Sequence, residues 1–124
     1  MTGKQFGSVL MSARQKLGIS LRELGERVRK PDGSPFSPQY LNDVEHGRRN
    51  PPDEPVIRQL AAALELDSEV LLALAGRDPE AVKEYLAAMP EERATVGRLF
   101  RRAREKGFKD WSRLERAMDE EKKR

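Results

Sequence analysis

One segment near the middle of the chain is the natural starting point: Ser37-Pro38-Gln39-Tyr40-Leu41-Asn42-Asp43-Val44-Glu45-His46-Gly47-Arg48-Arg49-Asn50-Pro51. Ser37 suits a helix N-cap because its hydroxyl can accept a free backbone N–H of the first turn. Pro38 suits the first helical position, and Gly47 suits the left-handed residue just beyond a helix end. These signals predict a helix of about nine residues. Its aliphatic residues, Leu41 and Val44, are three apart, so one narrow stripe faces a core.

The other positions of this helix are polar: Gln39, Tyr40, Asn42 and Asp43. Such side chains can hydrogen-bond to base edges and to phosphates. Arg48 and Arg49 follow the predicted helix directly. A short polar helix followed by two cations indicates an element that reads nucleic acid.

Three motifs in order extend this pattern: Ser20-x-x-Glu23-Leu24-Gly25, Ser37-x-x-Tyr40-Leu41-Asn42-x-Val44-Glu45-x-Gly47-Arg48-Arg49-x-Pro51 and Leu60-Ala61-x-Ala63-Leu64. Together they resemble the lambda-repressor/Cro-like helix-turn-helix family, also called XRE, over roughly residues 6–76, the length of one small domain. The resemblance implies a sequence-specific DNA-binding transcriptional regulator. It says nothing about residues 77–124.

Apolar spacing and helix-stop signals predict an all-α chain. Five helices are expected in a DNA-binding domain over residues 1–76, at about residues 3–17, 20–29, 38–46, 54–64 and 68–75. About three more are expected in a C-terminal segment over residues 77–124, beginning near Pro79, Pro90 and Asp110. In the first helix Phe6, Val9, Leu10, Ala13 and Leu17 have core spacing, and in the fifth Val70, Leu71 and Leu74 do.

The turn between the second and third helices departs from the family pattern. The segment Lys30-Pro31-Asp32-Gly33-Ser34-Pro35-Phe36 makes it about six residues longer than the usual four-residue turn. Phe36 is expected to fill an apolar slot before the Ser37 cap. Gly25 stands where family members usually carry Ala, and is expected to let the reading helix cross closely. The enlarged turn either touches the DNA backbone or is a neutral surface insertion.

The resemblance also implies roles for individual residues. Base-reading positions match Ser37, Gln39, Tyr40 and Asp43, of which Gln39 suits adenine, Asp43 suits cytosine and Tyr40 suits a thymine methyl group or a phosphate. Phosphate-binding positions match Arg22, Asn42, Arg48, Arg49 and Asn50. Two departures are Pro38, which removes a side chain that often reads bases, and Leu21, where the family often has a backbone-binding Gln.

The positions of three further polar residues predict the contacts that they make. Glu45 is expected to pair with a nearby cation, and Arg14 is a candidate phosphate contact. His46, at the end of the reading helix, is expected to cap it or to contact a phosphate.

Composition excludes several classes of function. The chain of 124 residues has no Cys and one His, so we expect no disulfide, no metal site and no cofactor. Its paired carboxylates are adjacent in sequence and do not face each other on a helix, so we expect no enzyme. No apolar run is long enough for a membrane span and no signal-peptide core is present, so we expect a cytoplasmic protein.

Charge is unevenly distributed. The formal net charge is +3. Residues 14–49 hold eight Lys and Arg against five Asp and Glu, whereas residues 50–76 hold one cation against five acids. A uniformly charged surface would not separate in this way, and the basic part coincides with the predicted reading element.

The C-terminal segment has apolar faces that three short helices cannot cover by themselves. We expect residues 78–118 to form a homodimer, which is the commonest oligomer; the alternative is packing on the first domain. Seven cations between Arg93 and Lys109, against the single acid Glu105, either follow phosphates or form a solvated face.

The alternative function is an antitoxin or adaptor, in which the C-terminal helices bind a partner protein and the DNA-binding domain is autoregulatory.

Overall fold

The computed structural model describes the backbone of residues 2–122 and the side chains of residues 5–121. Its helices are α1 Thr2–Leu17, α2 Leu21–Arg27, α3 Pro38–Glu45, α4 Glu54–Leu64, α5 Ser68–Leu74, α6 Glu80–Ala88, α7 Pro90–Lys106 and α8 Trp111–Lys122. Within residues 2–122 there is no strand, and one isolated bridge pairs Arg29 with Pro35. The prediction of an all-α chain with five helices followed by three is confirmed.

The helix boundaries follow the capping residues. Ser20 and Glu23 form a capping box at the start of α2, and the Ser37 hydroxyl accepts the backbone N–H of Tyr40 at 3.1 Å. Asp67 accepts two backbone N–H groups at the start of α5. Each bond satisfies a donor that the first turn of a helix otherwise leaves free, so local sequence sets where these helices begin.

Chain contacts divide the protein into a first unit that ends at Val82 and a second that begins at Lys83. In the first unit, α3 packs against both α1 and α2, and α4 packs against α1, α2 and α5. The buried core contains apolar side chains from all five helices and the connections between them: Phe6, Leu10, Ile19, Leu24, Val28, Leu41, Val44, Val56, Ile57, Leu60, Ala61, Leu64, Leu71, Leu72 and Ala75. The predicted boundary after residue 76 remains a prediction.

Three details of the predicted helices are wrong. The second helix ends at Arg27 because Val28 has extended dihedral angles, although its side chain is buried as expected. Leu17 and Val70 are 39% and 57% exposed. Leu17 lies on the last turn of α1, and α5 is short and buries Leu71 with its neighbour Leu72. Apolar spacing alone does not show which apolar residues near the end of a helix, or on a short helix, are exposed.

The enlarged turn is a small hairpin. Lys30 N–H donates to the Ser34 carbonyl at 2.9 Å, and Gly33 N–H donates to the Lys30 carbonyl at 2.8 Å, with Gly33 at a φ of 88°. The Asp32 carboxylate accepts from both the N–H and the hydroxyl of Ser34. The hairpin ends at Phe36, which packs against the core as expected.

Gly25 is needed for a close approach, but not to the reading helix. A Cβ at Gly25 would lie well inside van der Waals contact of the Phe36 carbonyl oxygen, whereas its nearest contact on α3 would be the Leu41 side chain at 3.5 Å. The Gly25 carbonyl also accepts Phe36 N–H at 3.1 Å. The predicted reason for this glycine is therefore corrected: it admits the end of the enlarged turn.

The second unit consists of the end of α6, with α7 and α8. Gly107, at a φ of 70°, ends α7, and Asp110 accepts the N–H of Arg113 at the start of α8, as predicted. Trp111 packs edge-on against Phe100 and Phe108. The apolar spacing of α8 predicts that Trp111, Leu114 and Met118 point inward, and this is wrong because all three are exposed. The exposed large apolar side chains of this unit are Tyr85, Met89, Leu99, Phe100, Phe108, Trp111, Leu114 and Met118.

Candidate nucleic-acid interface

The helix α3 has one face in the core and one at the surface. Leu41, Val44 and Glu45 are buried, Gln39 is exposed, and Asp43 is partly exposed. Because an α-helix turns about 100° per residue, Gln39 and Asp43 lie on the side opposite the buried stripe. Gln39 and Asp43, which are predicted to read bases, therefore lie on the solvent-exposed side of α3.

The C-terminal end of α3 lies directly on α1 at Gly7. A Cβ on Gly7 would lie well inside van der Waals contact of the backbone carbonyl oxygens of both Val44 and Glu45. The absence of a side chain thus lets the two helix backbones meet. This contact was not predicted from the sequence. A signal was present, because Gly7, Leu10 and Arg14 share one face of α1 at i, i+3 and i+7 spacing.

A second contact between α1 and α3 is ionic. Arg14 Nε donates to Glu45 Oε2 at 2.7 Å and Nη2 donates to Oε1 at 3.1 Å, while Nη1 donates to the Ile19 carbonyl at 3.0 Å. The Glu45 side chain is 1% exposed. Its hydrogen bond to the guanidinium raises the pKa of Arg14 above the usual range.

This ion pair bears on two expectations. The pairing of Glu45 with a cation is confirmed. All three nitrogens of Arg14 donate to groups within the protein, which favours a packing role, and its candidate phosphate contact stays a prediction. Bidentate geometry of this kind gives an ion pair a defined orientation as well as energy. The Arg14–Glu45 pair therefore fixes the direction of α3.

On the exposed face of α3, one carboxylate organises two neighbours. Asp43 Oδ1 accepts from Gln39 Nε2 at 3.3 Å and from Arg48 Nε at 3.2 Å. The backbone N–H of Arg48 also donates to the Asp43 carbonyl at 2.8 Å. The structure thus brings together a predicted base-reading amide, a predicted base-reading carboxylate and a predicted phosphate-binding cation. Both bonds go to Oδ1, so the Asp43 carboxylate keeps lone pairs with which it can accept from a base.

Tyr40 belongs to the flank of α3. Its ring stacks on Phe36 with centroids 5.1 Å apart and an interplanar angle of 24°, and the Arg49 guanidinium lies 5.6 Å from its centroid. Burial raises the pKa of Tyr40, so its hydroxyl is protonated at neutral pH. The ring is therefore already stacked within the protein, which favours a phosphate contact by the hydroxyl over a thymine contact by the ring.

The remaining predicted contacts are at the two ends of α3 and on α2. Ser37 uses its oxygen to cap the helix, which leaves its hydroxyl proton to donate. Asn50 is exposed after α3, and Arg22 is exposed on the first turn of α2. Asn42 is partly exposed, and its carbonyl accepts the backbone N–H of His46, whose Nδ1 lies 2.8 Å from the same oxygen. His46 thus caps the helix, one of its two expected roles.

Cations of the first unit fall into two groups. Among the described residues, Arg22, Arg27 and Arg29 are exposed and make no ion pair. Other arginines of the first unit pair with acids: Arg14 with Glu45, Arg48 with Asp43, Arg58 with Glu54 and Glu69, and Arg77 with Asp53. Within the described part of the chain, Arg22, Arg27 and Arg29 are therefore free of ion pairs on and directly after α2, where they are available to bind phosphates.

Two negative findings concern other kinds of site. Within the part of the chain whose side chains are described, no group of three or more His, Asp or Glu residues is arranged to hold a metal ion. Among helices α1 to α8, as far as they are described, none combines the length and apolar content that a bilayer crossing requires.

Comparison with known proteins gives a family for the first unit. No curated protein and no solved structure matches the chain significantly. A family model described as a helix-turn-helix domain matches residues 5–75, which is more than half of the chain and contains most of α1 and all of α2 to α5. This range includes the capped helices, the enlarged turn and the exposed face of α3. The chain belongs to the helix-turn-helix domain family.

Proposed function

We propose that this protein is a sequence-specific DNA-binding transcriptional regulator that places α3 in the major groove. One observation carries the proposal: α3 buries its aliphatic residues and exposes Gln39, with Asp43 and Arg48 bonded beside it. A polar helix face next to unpaired cations has the composition that groove reading requires. The family match and the XRE-like motifs support the same assignment.

In this proposal Gln39 is the principal reader. Its exposed amide offers a donor and an acceptor, the pattern that pairs with adenine in the major groove. Ser37 and Asp43 contact neighbouring bases, and Asp43 accepts from cytosine through the lone pairs that its bonds to Gln39 and Arg48 leave free. Phosphate contacts come from six residues around α3: Arg22, Tyr40, Asn42, Arg48, Arg49 and Asn50.

We further propose a homodimer formed through residues 78–118 that binds a palindromic operator and represses transcription by occupying a promoter. The exposed apolar residues Leu99, Phe108, Trp111 and Leu114 support it, because a second copy would cover them. Two reading helices about 34 Å apart would then meet successive major grooves on one side of the duplex.

The direct test is selection of bound sequences from random duplex DNA, combined with sedimentation equilibrium. We expect enrichment of a two-fold-symmetric site with half-sites about 10 base pairs apart, and a dimer in solution. Enrichment of a single unrepeated half-site by a monomer would contradict the dimer. Tight binding without any enrichment would contradict sequence-specific reading.

Replacing Gln39 with Ala is expected to weaken operator binding by roughly 1–3 kcal/mol and to relax one base position. The reason is that alanine removes both hydrogen-bonding groups of the proposed reader. Binding titrations on the operator and on single-base variants measure the effect. Gln15→Ala is the matched control, because Gln15 is an exposed glutamine on α1 that lies near Leu66 and away from α3. Equal affinity and selectivity of Gln39→Ala and the parent would refute the assignment.

Replacing Arg48 with Ala is expected to weaken binding to all sequences alike and to lower the slope of log affinity against log salt by about one. The variant loses one phosphate contact but no base contact. Titrations at several salt concentrations on specific and non-specific duplexes measure both quantities. A change in the ratio of specific to non-specific affinity would show instead that Arg48 acts on bases, directly or through Asp43.

The alternative function is an antitoxin or adaptor whose C-terminal helices bind a partner protein. It is favoured by a depression of about 460 Å³ on α7 and α8, where Arg102 and Lys106 lie beside Leu99, Phe108 and Trp111. A monomer in sedimentation equilibrium, with hydrogen exchange of α7 and α8 slowed only by a partner encoded next to it, would favour this function over the homodimer.

A further inference from the structure

The hairpin formed by residues 30–36 is fixed to the first unit at both of its ends. At its start, Arg29 N–H donates to Gln59 Oε1 at 2.8 Å and the Arg29 carbonyl accepts from Gln59 Nε2 at 3.0 Å. At its end, Phe36 N–H donates to the Gly25 carbonyl. These bonds hold both ends of the hairpin in a defined position on the first unit.

Side chains also tie the hairpin to the reading helix. Lys30 Nζ lies 5.7 Å from the Phe36 ring centroid, Phe36 stacks on Tyr40, and Arg49 lies over Tyr40. Lys30, Phe36, Tyr40 and Arg49 thus form a continuous series of contacts across the flank of α3. Arg49 is a proposed phosphate contact at one end of this series, and Lys30 is the cation at the other end.

The charges of the hairpin suit a polyanion. Arg29 and Lys30 are exposed and form no ion pair within the described residues. The one acid of the hairpin, Asp32, accepts from the N–H and hydroxyl of Ser34, and these bonds lower its pKa and favour the charged carboxylate; residues 29–36 therefore hold two cations against one acid. Asp53 lines the same groove of about 560 Å³ as Lys30 and Asp32. Its Oδ1 atom lies 3.8 Å from Nη2 of Arg77.

We propose that the hairpin is a second DNA contact, in which Arg29 and Lys30 bind backbone phosphates that flank the bases read by α3. The inference rests on the proposed function and extends its interface beyond the helix-turn-helix itself. Because Phe36 immediately precedes the Ser37 cap, the hairpin lies beside the N-terminal end of α3, where Gln39 reads. Because hydrogen bonds hold both of its ends, the loop loses little conformational freedom on binding.

The test compares two lysines that differ in position but not in charge. Lys30→Gln removes the proposed contact. Lys16→Gln removes the same charge from an exposed site near Leu66, away from α3. We expect Lys30→Gln to lower the salt slope by about one and to weaken operator binding roughly fourfold at about 0.2 M salt. For Lys16→Gln we expect a slope equal to that of the parent.

Hydroxyl-radical footprinting gives the second readout. Lys30→Gln is expected to lose protection of backbone sugars at one flank of each half-site, while protection of the sugars beside the bases read by α3 remains. Equal slopes and identical footprints for Lys30→Gln and Lys16→Gln would overturn the hairpin proposal. The two proposals fail differently, because a failure of DNA reading would appear as an inert Gln39→Ala substitution in the parent protein.

Discussion

Replacing Arg14 with Ala is expected to lower the free energy of unfolding of the first unit by about 3–5 kcal/mol. The substitution leaves the Glu45 carboxylate without its two guanidinium bonds in a site where its side chain is 1% exposed. An uncompensated buried charge costs far more than the loss of a surface ion pair. Urea unfolding followed by circular dichroism measures the change.

A double variant separates the unpaired charge from lost packing. Arg14→Met with Glu45→Leu removes both charges and keeps apolar volume, so we expect it to recover most of the lost stability. If the double variant were as unstable as Arg14→Ala, packing and not charge pairing would hold α1 against α3. If Arg14→Ala were fully stable but bound DNA weakly, Arg14 would be the phosphate contact that its position in the sequence indicates.

The parts of the fold that depend only on residues close together in the sequence were predictable from the sequence. Ser20, Ser37 and Asp67 cap the helices that they precede, because capping needs only residues within one helical turn. The buried stripe of α4 was likewise predictable from apolar spacing. The Arg14–Glu45 pair was not, because its members are 31 residues apart and many acids could have met Arg14.

The candidate nucleic-acid interface also has some features that the sequence predicts and others that only the structure gives. Its residue types on α3 follow from the sequence, since helical periodicity separates Gln39 and Asp43 from the buried stripe. The bond from Arg48 to Asp43 requires the chain to turn back after Gly47, and the stacking of Tyr40 requires Phe36 to return at the end of the hairpin. Backbone geometry at the two ends of α3, which residue type alone does not give, thus determined which polar groups are free for DNA.

The exposed aromatic residues of the second unit were expected to be covered, and within the chain they are not. Phe100, Phe108 and Trp111 contact each other but remain substantially exposed. A sequence pattern indicates that a residue is apolar, not which surface covers it. The same apolar face is therefore compatible with a second copy and with a different protein, which is why the oligomeric state has to be measured.

Replacing Gly7 with Ala is expected to destabilise the first unit by about 3 kcal/mol or more before any relaxation of the helices. The new Cβ would meet two backbone carbonyl oxygens, those of Val44 and Glu45, and neither can rotate away as a side chain can. Alanine also gains about 1 kcal/mol of helix propensity, which offsets the clash only in part. Urea unfolding measures the net loss.

A matched glycine in α7 serves as the control. Gly97 has nothing within 4 Å of the Cβ that alanine would add, so Gly97→Ala is expected to leave stability unchanged or to raise it by up to about 1 kcal/mol. The contrast between the two substitutions isolates the close approach from helix propensity. Equal stability of Gly7→Ala and Gly97→Ala would show that α1 and α3 do not meet at Gly7.

Gly7→Ala also links the fold to DNA binding. If the clash moves α1 away from the end of α3, the Arg14–Glu45 bonds lengthen and α3 loses its fixed direction, although no DNA-contacting residue has changed. A displacement of about 1 Å is enough to weaken an interaction that depends on aligned hydrogen bonds. We therefore expect Gly7→Ala to reduce the affinity for the operator more than the affinity for non-specific duplex DNA. The comparison is made under conditions where both the parent protein and Gly7→Ala are folded. A proportional loss on both duplexes would mean that α1 supports the stability of the domain but does not set the direction in which α3 reads.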